Sequence, residues 1–404
     1  MRVYAYVVGD SEVELWGLSS RERLARQVAE FGNATTVDAL DSLPDDARVL
    51  CIRADYLFES RTLKSLAERD DTLLRCVSDR RLAAGVCRRD NVTRMLLSLR
   101  AIGAEHGEEP GFAVVEPAAL AAYEDRLRKA EEPLLLPVSE EPRGVLEDHL
   151  YGRSYKGITD LVTKWFWPRP AKHAVRACAR LGLTPNMVTM TGIALMIYAG
   201  YAFYHGDYWL GLAAGWLMTF LDTVDGKLAR VTIKSSRLGH VLDHGMDIVH
   251  PPFWYLLWGM SLSGPVFGFS LEELYWWTFA GYLGGRFIEG AFHSLGECSL
   301  FDWRPFDAYF RLITARRNPS LIILTAAMVA DSPEAGFFGV LFWTAATTLV
   351  LLVRLLQATA VRMARGPLRS WLAEPADAAV AYPRAFRTFS RTRGAYAMVS
   401  GTSP

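Results

Sequence analysis

The sequence is poor in cysteine, and none of its five (Cys51, Cys76, Cys87, Cys178, Cys298) forms a C-x-x-C pair. Spacing that wide suggests neither a zinc site nor a disulfide framework. Nor is a leader expected. The start, M-R-V-Y-A-Y-V-V-G-D-S-E, is too short and too soon acidic for a signal peptide, so the N-terminal half is expected in the cytoplasm. The 404 residues carry no formal net charge, with 44 Lys+Arg against 44 Asp+Glu, and no nucleic-acid partner is expected. That balance hides an asymmetry. Residues 1–150 hold 20 basic and 28 acidic side chains, and residues 151–404 hold 24 and 16. The basic half is the hydrophobic half, as suits a membrane domain facing anionic lipid.

What is present divides in two. Residues 1–135 read as a soluble α/β domain. Apolar runs at 3–8 and 48–53 suit buried strands, and 73–77 and 112–115 are further candidates. Helical periodicity at 19–31, with Ser20 as a cap, alternates with helices at 61–68 and 117–130. Such alternation favours a largely parallel sheet with covering helices. A Pro- and Glu-rich linker follows, placed at 136–155 between the domains. Residues 156–180 interleave Lys156, Lys164, Arg169, Lys172, Arg176 and Arg180 with Leu161, Trp165, Phe166 and Trp167, the pattern of an amphipathic segment on the membrane surface.

Six spans are expected, at about 186–204, 208–228, 238–262, 274–295, 319–330 and 337–361. The fifth is short for a hydrocarbon core of roughly 30 Å, so it starts nearer Phe310 or tilts less than its neighbours. Alternate loops hold Arg230, Lys234 and Arg237, then Arg304, Arg311, Arg316 and Arg317, then Arg362, Arg365 and Arg369. The other loops hold no Lys or Arg, so the positive-inside rule puts both termini and the N-terminal domain on the cytoplasmic side of a cell membrane. The segment 367–404 is a polar, irregular cytoplasmic tail.

The chain is organised around residues 222–247. Four carboxylates lie there, Asp222 and Asp225 three apart and Asp243 and Asp247 four apart. On helices each spacing puts the pair on one face. Two helix ends brought together aim four charges into one volume, and a cation is needed to hold them. Oxygen-only ligands suit a hard ion such as Mg²⁺, Mn²⁺ or Ca²⁺. Gly226 leaves room for a ligand to approach the backbone, Ala229 keeps that face shallow, and Gly239 clears the facing helix. Arg230 offers a planar fork for phosphate, whereas Lys227 faces differently and snorkels.

Together these residues read D-x2-D-G-x2-A-R-x8-G-x3-D-x3-D, which resembles the signature of the CDP-alcohol phosphotransferases, integral membrane enzymes. Asp222, Asp225, Gly226, Ala229, Arg230, Gly239, Asp243 and Asp247 match without departure, and the resemblance covers 156–366 as the membrane domain. It implies a divalent-metal-dependent transfer of a phosphoryl-alcohol from a CDP-alcohol donor to a hydroxyl acceptor, with release of CMP. It implies that the four aspartates hold Mg²⁺ or Mn²⁺, with Asp247 as general base. Asn186, Asp222, Asp225, Gly226, Ala229, Arg230 and Gly239 would bind the nucleotide, Asn186 through a T-P-N element (Thr184–Asn186). For the acceptor, Lys156, Lys234, Arg237, Arg286, Arg304 and Arg317 are candidates, with Glu289 available to pair with Arg286 instead. His240, His244 and His250 carry no assignment. A homodimer through the membrane domain is the family's usual state.

The N-terminal half resembles sugar-phosphate nucleotidyltransferases, but the loop after its first strand reads G-D-S-E-V-E-L-W-G, whose three acids repel a triphosphate. Asp55 is its one candidate metal ligand, so a degenerate, structural or regulatory domain is expected. Three functions are compatible with this sequence. The first is phospholipid synthesis from a CDP-diacylglycerol-like donor. The second joins a CDP-inositol-like donor to a soluble polyol phosphate, as di-myo-inositol phosphate phosphate synthases do. The third is a divalent-cation transporter or non-catalytic scaffold, which the lack of internal repeats disfavours.

Overall fold

The computed structural model describes residues 2–101, 109–120, 123–124, 126–139, 141–234 and 237–390, without the side chains of 237–244 and 247. The N-terminal domain comprises β1 (Val3–Val8), α1 (Ser20–Ala29), β2 (Ala34–Val37), β3 (Arg48–Arg53), β4 (Tyr56–Phe58), α2 (Ser60–Ala67), β5 (Thr72–Arg75), β6 (Leu82–Arg88), α3 (Val92–Arg100), β7 (Ala113–Val115), β8 (Tyr123–Glu124), β9 (Lys129–Ala130) and β10 (Leu135–Pro137). The main sheet runs β2-β1-β3-β6-β5-β7. It is mixed rather than largely parallel. β1 is parallel to β2 and β3, and β5 to β7, but β6 runs antiparallel to both β3 and β5. The connection from β5 to β6 is too short for the crossover that parallel pairing needs. The helix expected at 117–130 is absent from the described residues there. That stretch forms a 3₁₀ turn at Pro117–Ala119 and the β8–β9 hairpin. Ser19, rather than Ser20, caps α1, accepting from the Glu22 amide at 3.2 Å.

Residues 136–155, expected as a linker, are packed structure. β10 pairs with β4, and α4 (Arg143–Arg153) follows. Leu146 and Tyr151 of α4 are buried in an apolar cluster that joins Leu15 and Trp16 of the N-terminal domain to Val224 and Leu228 of the membrane domain. Burying such side chains from both partners stabilises the seam by about 2 kcal/mol each. A π-helix (Val162–Phe166) and α5 (Pro168–Arg180) complete the basic segment, with Trp165 and Phe166 exposed.

The helical domain contains α6 (Pro185–Tyr204), α7 (Tyr208–Thr232), α8 (Arg237–Met260), α9 (Leu271–His293), α10 (Pro305–Arg311), α11 (Arg317–Val329) and α12 (Pro333–Arg365). Helices stand at all six expected places. By length and hydropathy, α6 and α12 are long and apolar enough to cross a membrane. The fifth helix does not begin near Phe310. A short α10 precedes it, and α11 starts at Arg317 with 13 residues, a rise of about 20 Å. Large apolar side chains face outward along the bundle, among them Ile197, Tyr201, Trp276, Phe287 and Phe342, as in a helical membrane-type domain. Gly200 and Gly215 allow Trp254 of α8 to wedge against α6 and α7, where its indole donates to the Met196 carbonyl at 3.0 Å.

Residues 367–390, expected to be irregular, are folded. α13 (Pro375–Ala381) and α14 (Pro383–Phe389) fold back, and Leu372 and Phe389 are fully buried against Phe292 and Phe301.

Candidate active site

Helix α7 carries the first half of the motif in its last three turns. Asp225 is buried, and the Thr189 hydroxyl of α6 donates to its Oδ2 at 2.6 Å. Thr184 caps α6, accepting from the Met187 amide at 3.3 Å, with Pro185 in the first turn. That cap fixes the helix start, so Thr189 faces Asp225 one turn beyond the T-P-N element, and Asn186 stands exposed beside it. Sequence reasoning missed Thr189. Its spacing from Pro185 was a usable signal, but only contact with α7 gives it meaning.

Asp222, one turn earlier, is met by Arg317 at the start of α11. Arg317 Nη2 lies 2.6 Å from Oδ2, and Nη1 lies 3.4 Å from Oδ1. Arg317 was expected at the acceptor; here it balances a motif carboxylate. Asn318, the next residue, donates to Asp160 Oδ1 at 2.9 Å, which also accepts from the Thr163 amide at 3.0 Å. Burial pushes the Asp160 carboxyl up, but the Arg311 charge and these donors hold it below the usual carboxylate range. Burial and the neighbouring Arg316 in turn bring the Arg311 guanidinium down to about 9. Asp160 therefore anchors the start of α11, and through it Arg317. Among the basic residues of 304–317, sequence alone could not say which had acidic partners.

Gly226 and Arg230 lie one turn apart. A Cβ added at Gly226 would approach Arg230 Nη2 to 3.1 Å, so the exposed guanidinium lies along the bare face of the helix. Ala229 is half-buried on the same helix. Lys227 does not snorkel. It is buried, its Nζ donates to the Ser154 carbonyl at 3.1 Å, and it lies 3.5 Å from the centroid of the Tyr155 ring. Its hydrophobic flank made it look like a membrane-edge lysine, yet α4 covers it.

The second half of the motif lies on α8, whose backbone spans 237–260. The side chains of Arg237, Gly239, His240, Asp243, His244 and Asp247 fall outside the described residues. His250 is described and accounted for by Nδ1, 2.6 Å from the Met246 carbonyl. Of the remaining basic candidates, Arg286 pairs with Glu289 at 2.8 Å, and Arg316 pairs with the same carboxylate. Arg304 lies 4.5 Å from the Trp303 ring centroid, and Lys156 and Lys234 are exposed.

Asp222, Asp225, the bare Gly226 and the exposed Arg230 thus stand within about two turns of one helix. Residues 182–288 match the family of CDP-alcohol phosphatidyltransferases. The chain carries a CDP-alcohol phosphatidyltransferase domain. It is 37% identical over 101 residues to an archaetidylinositol phosphate synthase of Pyrococcus horikoshii, covering 24% of this chain and 51% of that one. It is 28% identical over 163 residues to cholinephosphotransferase 1 of Xenopus laevis, 38% of either chain. A phosphatidylinositol phosphate synthase of Streptomyces avermitilis is 38% identical over 95 residues, 23% of this chain and 39% of that one. The chain thus spans about half or less of the curated relatives it matches. The CDP-alcohol phosphatidyltransferase domain holds the whole motif, while the N-terminal domain lies outside the matched segment.

Proposed function

We propose that the protein is a membrane phosphotransferase that moves a phosphoryl-alcohol from a CDP-alcohol to a hydroxyl acceptor, in phospholipid synthesis from a CDP-diacylglycerol-like donor. The observation carrying this reading is the α7 face, where buried Asp225, Asp222 and the Gly226–Arg230 pair stand within two turns inside the matched domain. The acceptor oxygen forms a new bond to the phosphorus bearing the alcohol. The bond from that phosphorus to the CMP oxygen breaks, and CMP leaves with the electron pair.

The donor set fits a hard divalent ion. Asp222 and Asp225 offer only oxygens, and Asp225 already accepts from the Thr189 hydroxyl at 2.6 Å. Asp222, Asp225, Asp243 and Asp247 would hold Mg²⁺ or Mn²⁺. The ion, when bound, neutralises the linked phosphates. Gly226 and Ala229 admit the nucleotide to the α7 backbone, with Asn186 and Gly239 at its margins. Arg230 binds phosphate in its fork. Asp247 takes the acceptor's proton. Lys156, Lys234, Arg237, Arg286 and Arg304 form the basic surroundings from which the acceptor is drawn, and Arg317 joins them when it leaves Asp222. The site lies at the cytoplasmic face of six spans, in a homodimer.

The test is CMP release by purified protein in detergent with Mg²⁺, offered CDP-diacylglycerol, CDP-choline or CDP-inositol with candidate acceptors. CMP from the lipid donor, lost in Asp247→Asn while nucleotide binding persists, is the expected result. No CMP from any CDP-alcohol would overturn the reading.

A further inference from the structure

Helix α7 ends on a strained turn, and another domain holds it. Arg23 Nη2 donates to the Val231 carbonyl at 3.0 Å, and Arg26 Nη1 donates to the Thr232 carbonyl at 2.7 Å. These carbonyls belong to the last turn of α7, where no amide of the helix itself can reach them. Both arginines stand on α1, one turn apart, and put positive charge at the negative end of the α7 dipole. The donors come from more than 200 residues away in sequence.

Ile233 follows directly, with φ 49°. A β-branched residue in the left-handed region crowds its own backbone, and glycine is the ordinary occupant at such a helix end. The strain sits between the helix bearing Asp222 and Asp225 and the start of α8 at Arg237. The loop after β1 is spent on the same docking. In doubly wound sheets that position cradles phosphates. Here Leu15 and Trp16 are buried in the seam, the Leu15 carbonyl accepts from Arg23 at 2.9 Å, and the Trp16 indole donates to the Glu147 carbonyl at 3.2 Å.

We infer that the N-terminal domain is a clamp on the catalytic helix, with Arg23 and Arg26 as positioning residues that hold the turn at Ile233 and so set where α8 begins relative to α7. The inference rests on the functional reading of α7 given above. It places the clamp between the nucleotide groups on α7 and the base on α8, so its loss bears on turnover more than on donor binding.

Arg23 is buried and its removal endangers the domain, so Arg26, whose side chain is 26% exposed, carries the test. In full-length Arg26→Met with the donor the wild type uses, kcat is expected to fall about tenfold with KM for the donor little changed. Amides of 231–234 are expected to exchange hydrogen faster, and Arg26→Lys to keep most of the activity. The added change Ile233→Gly restores kcat, because glycine holds the turn without a clamp. Wild-type kcat and exchange in Arg26→Met would overturn the clamp, as would a lowered kcat that Ile233→Gly leaves low. If the wild type releases no CMP from any donor, the functional reading fails, and the exchange of 231–234 still decides the clamp.

Discussion

Arg317 grips Asp222 through two nitrogens, 2.6 and 3.4 Å from its two oxygens, across the 95 residues that separate α7 from α11. A motif carboxylate thus carries its own counter-charge from within the chain. A cation arriving at Asp222 competes with that guanidinium, and removing it leaves a more negative site.

Arg317→Met is therefore expected to shift Mg²⁺ activation to lower concentration, by about threefold, while lowering the maximal rate. CMP release measured across a Mg²⁺ series checks it. Activation that shifts to higher concentration would mean Arg317 helps the metal site rather than competing with it.

Thr189→Val keeps the shape of the α6 helix and removes the hydroxyl that Asp225 accepts at 2.6 Å. A hydrogen bond to a buried charge contributes about 1.5–3 kcal/mol. Catalytic efficiency should fall by about tenfold or more, and Tm should fall as well, because buried Asp225 loses a donor. Steady-state kinetics beside a thermal melt separate the two effects, and an unaltered kcat/KM would remove Thr189 from the site.

The helices were legible because each apolar stretch had to be long, and their boundaries fell within a few residues of expectation. The motif was legible because its spacing is local to α7 and α8. What the sequence hid is mostly non-local. Lys227 read as a surface lysine until α4 covered it, and the Pro- and Glu-rich stretch 136–155 read as a linker although Leu146 and Tyr151 bury in the seam. The antiparallel β6 was missed because L-A-A-G-V-C-R has no alternation, being buried along nearly all its length. The pairing of Arg317 with Asp222 was hidden because it depends on how α11 packs beside α7.

Gly226→Ala offers a separation of stability from binding. The added methyl meets only the flexible tip of Arg230 at 3.1 Å, and alanine favours a helix over glycine by about 1 kcal/mol. The fold should be as stable or more so, while KM for the CDP-alcohol rises about fivefold because the guanidinium is displaced from the bare face. A KM equal to wild type would show that no ligand approaches the backbone there.

Glu59 supplies a pH dependence at the seam. Burial pushes its carboxyl up, but the charges of Arg153, Arg61 and Lys129 outweigh that and bring it down to about 2, from an ordinary 4.5. Arg153 Nη1 lies 3.1 Å away and Arg61 Nε 2.8 Å, and the Leu134 amide donates at 3.2 Å. A carboxyl with a depressed folded pKa binds fewer protons folded than unfolded. Its contribution is fully present above pH 4.5 and is lost as pH falls toward about 2. The size is on the order of 3 kcal/mol. Glu59→Gln should lower stability at neutral pH, since Arg153 and Arg61 lose a buried partner, and should flatten the acid limb between those values. Thermal melts of the full-length protein followed by tryptophan fluorescence across that range measure both. An acid limb as steep in the variant as in the wild type would assign the loss to other carboxylates and leave the seam without its pH-sensitive contact.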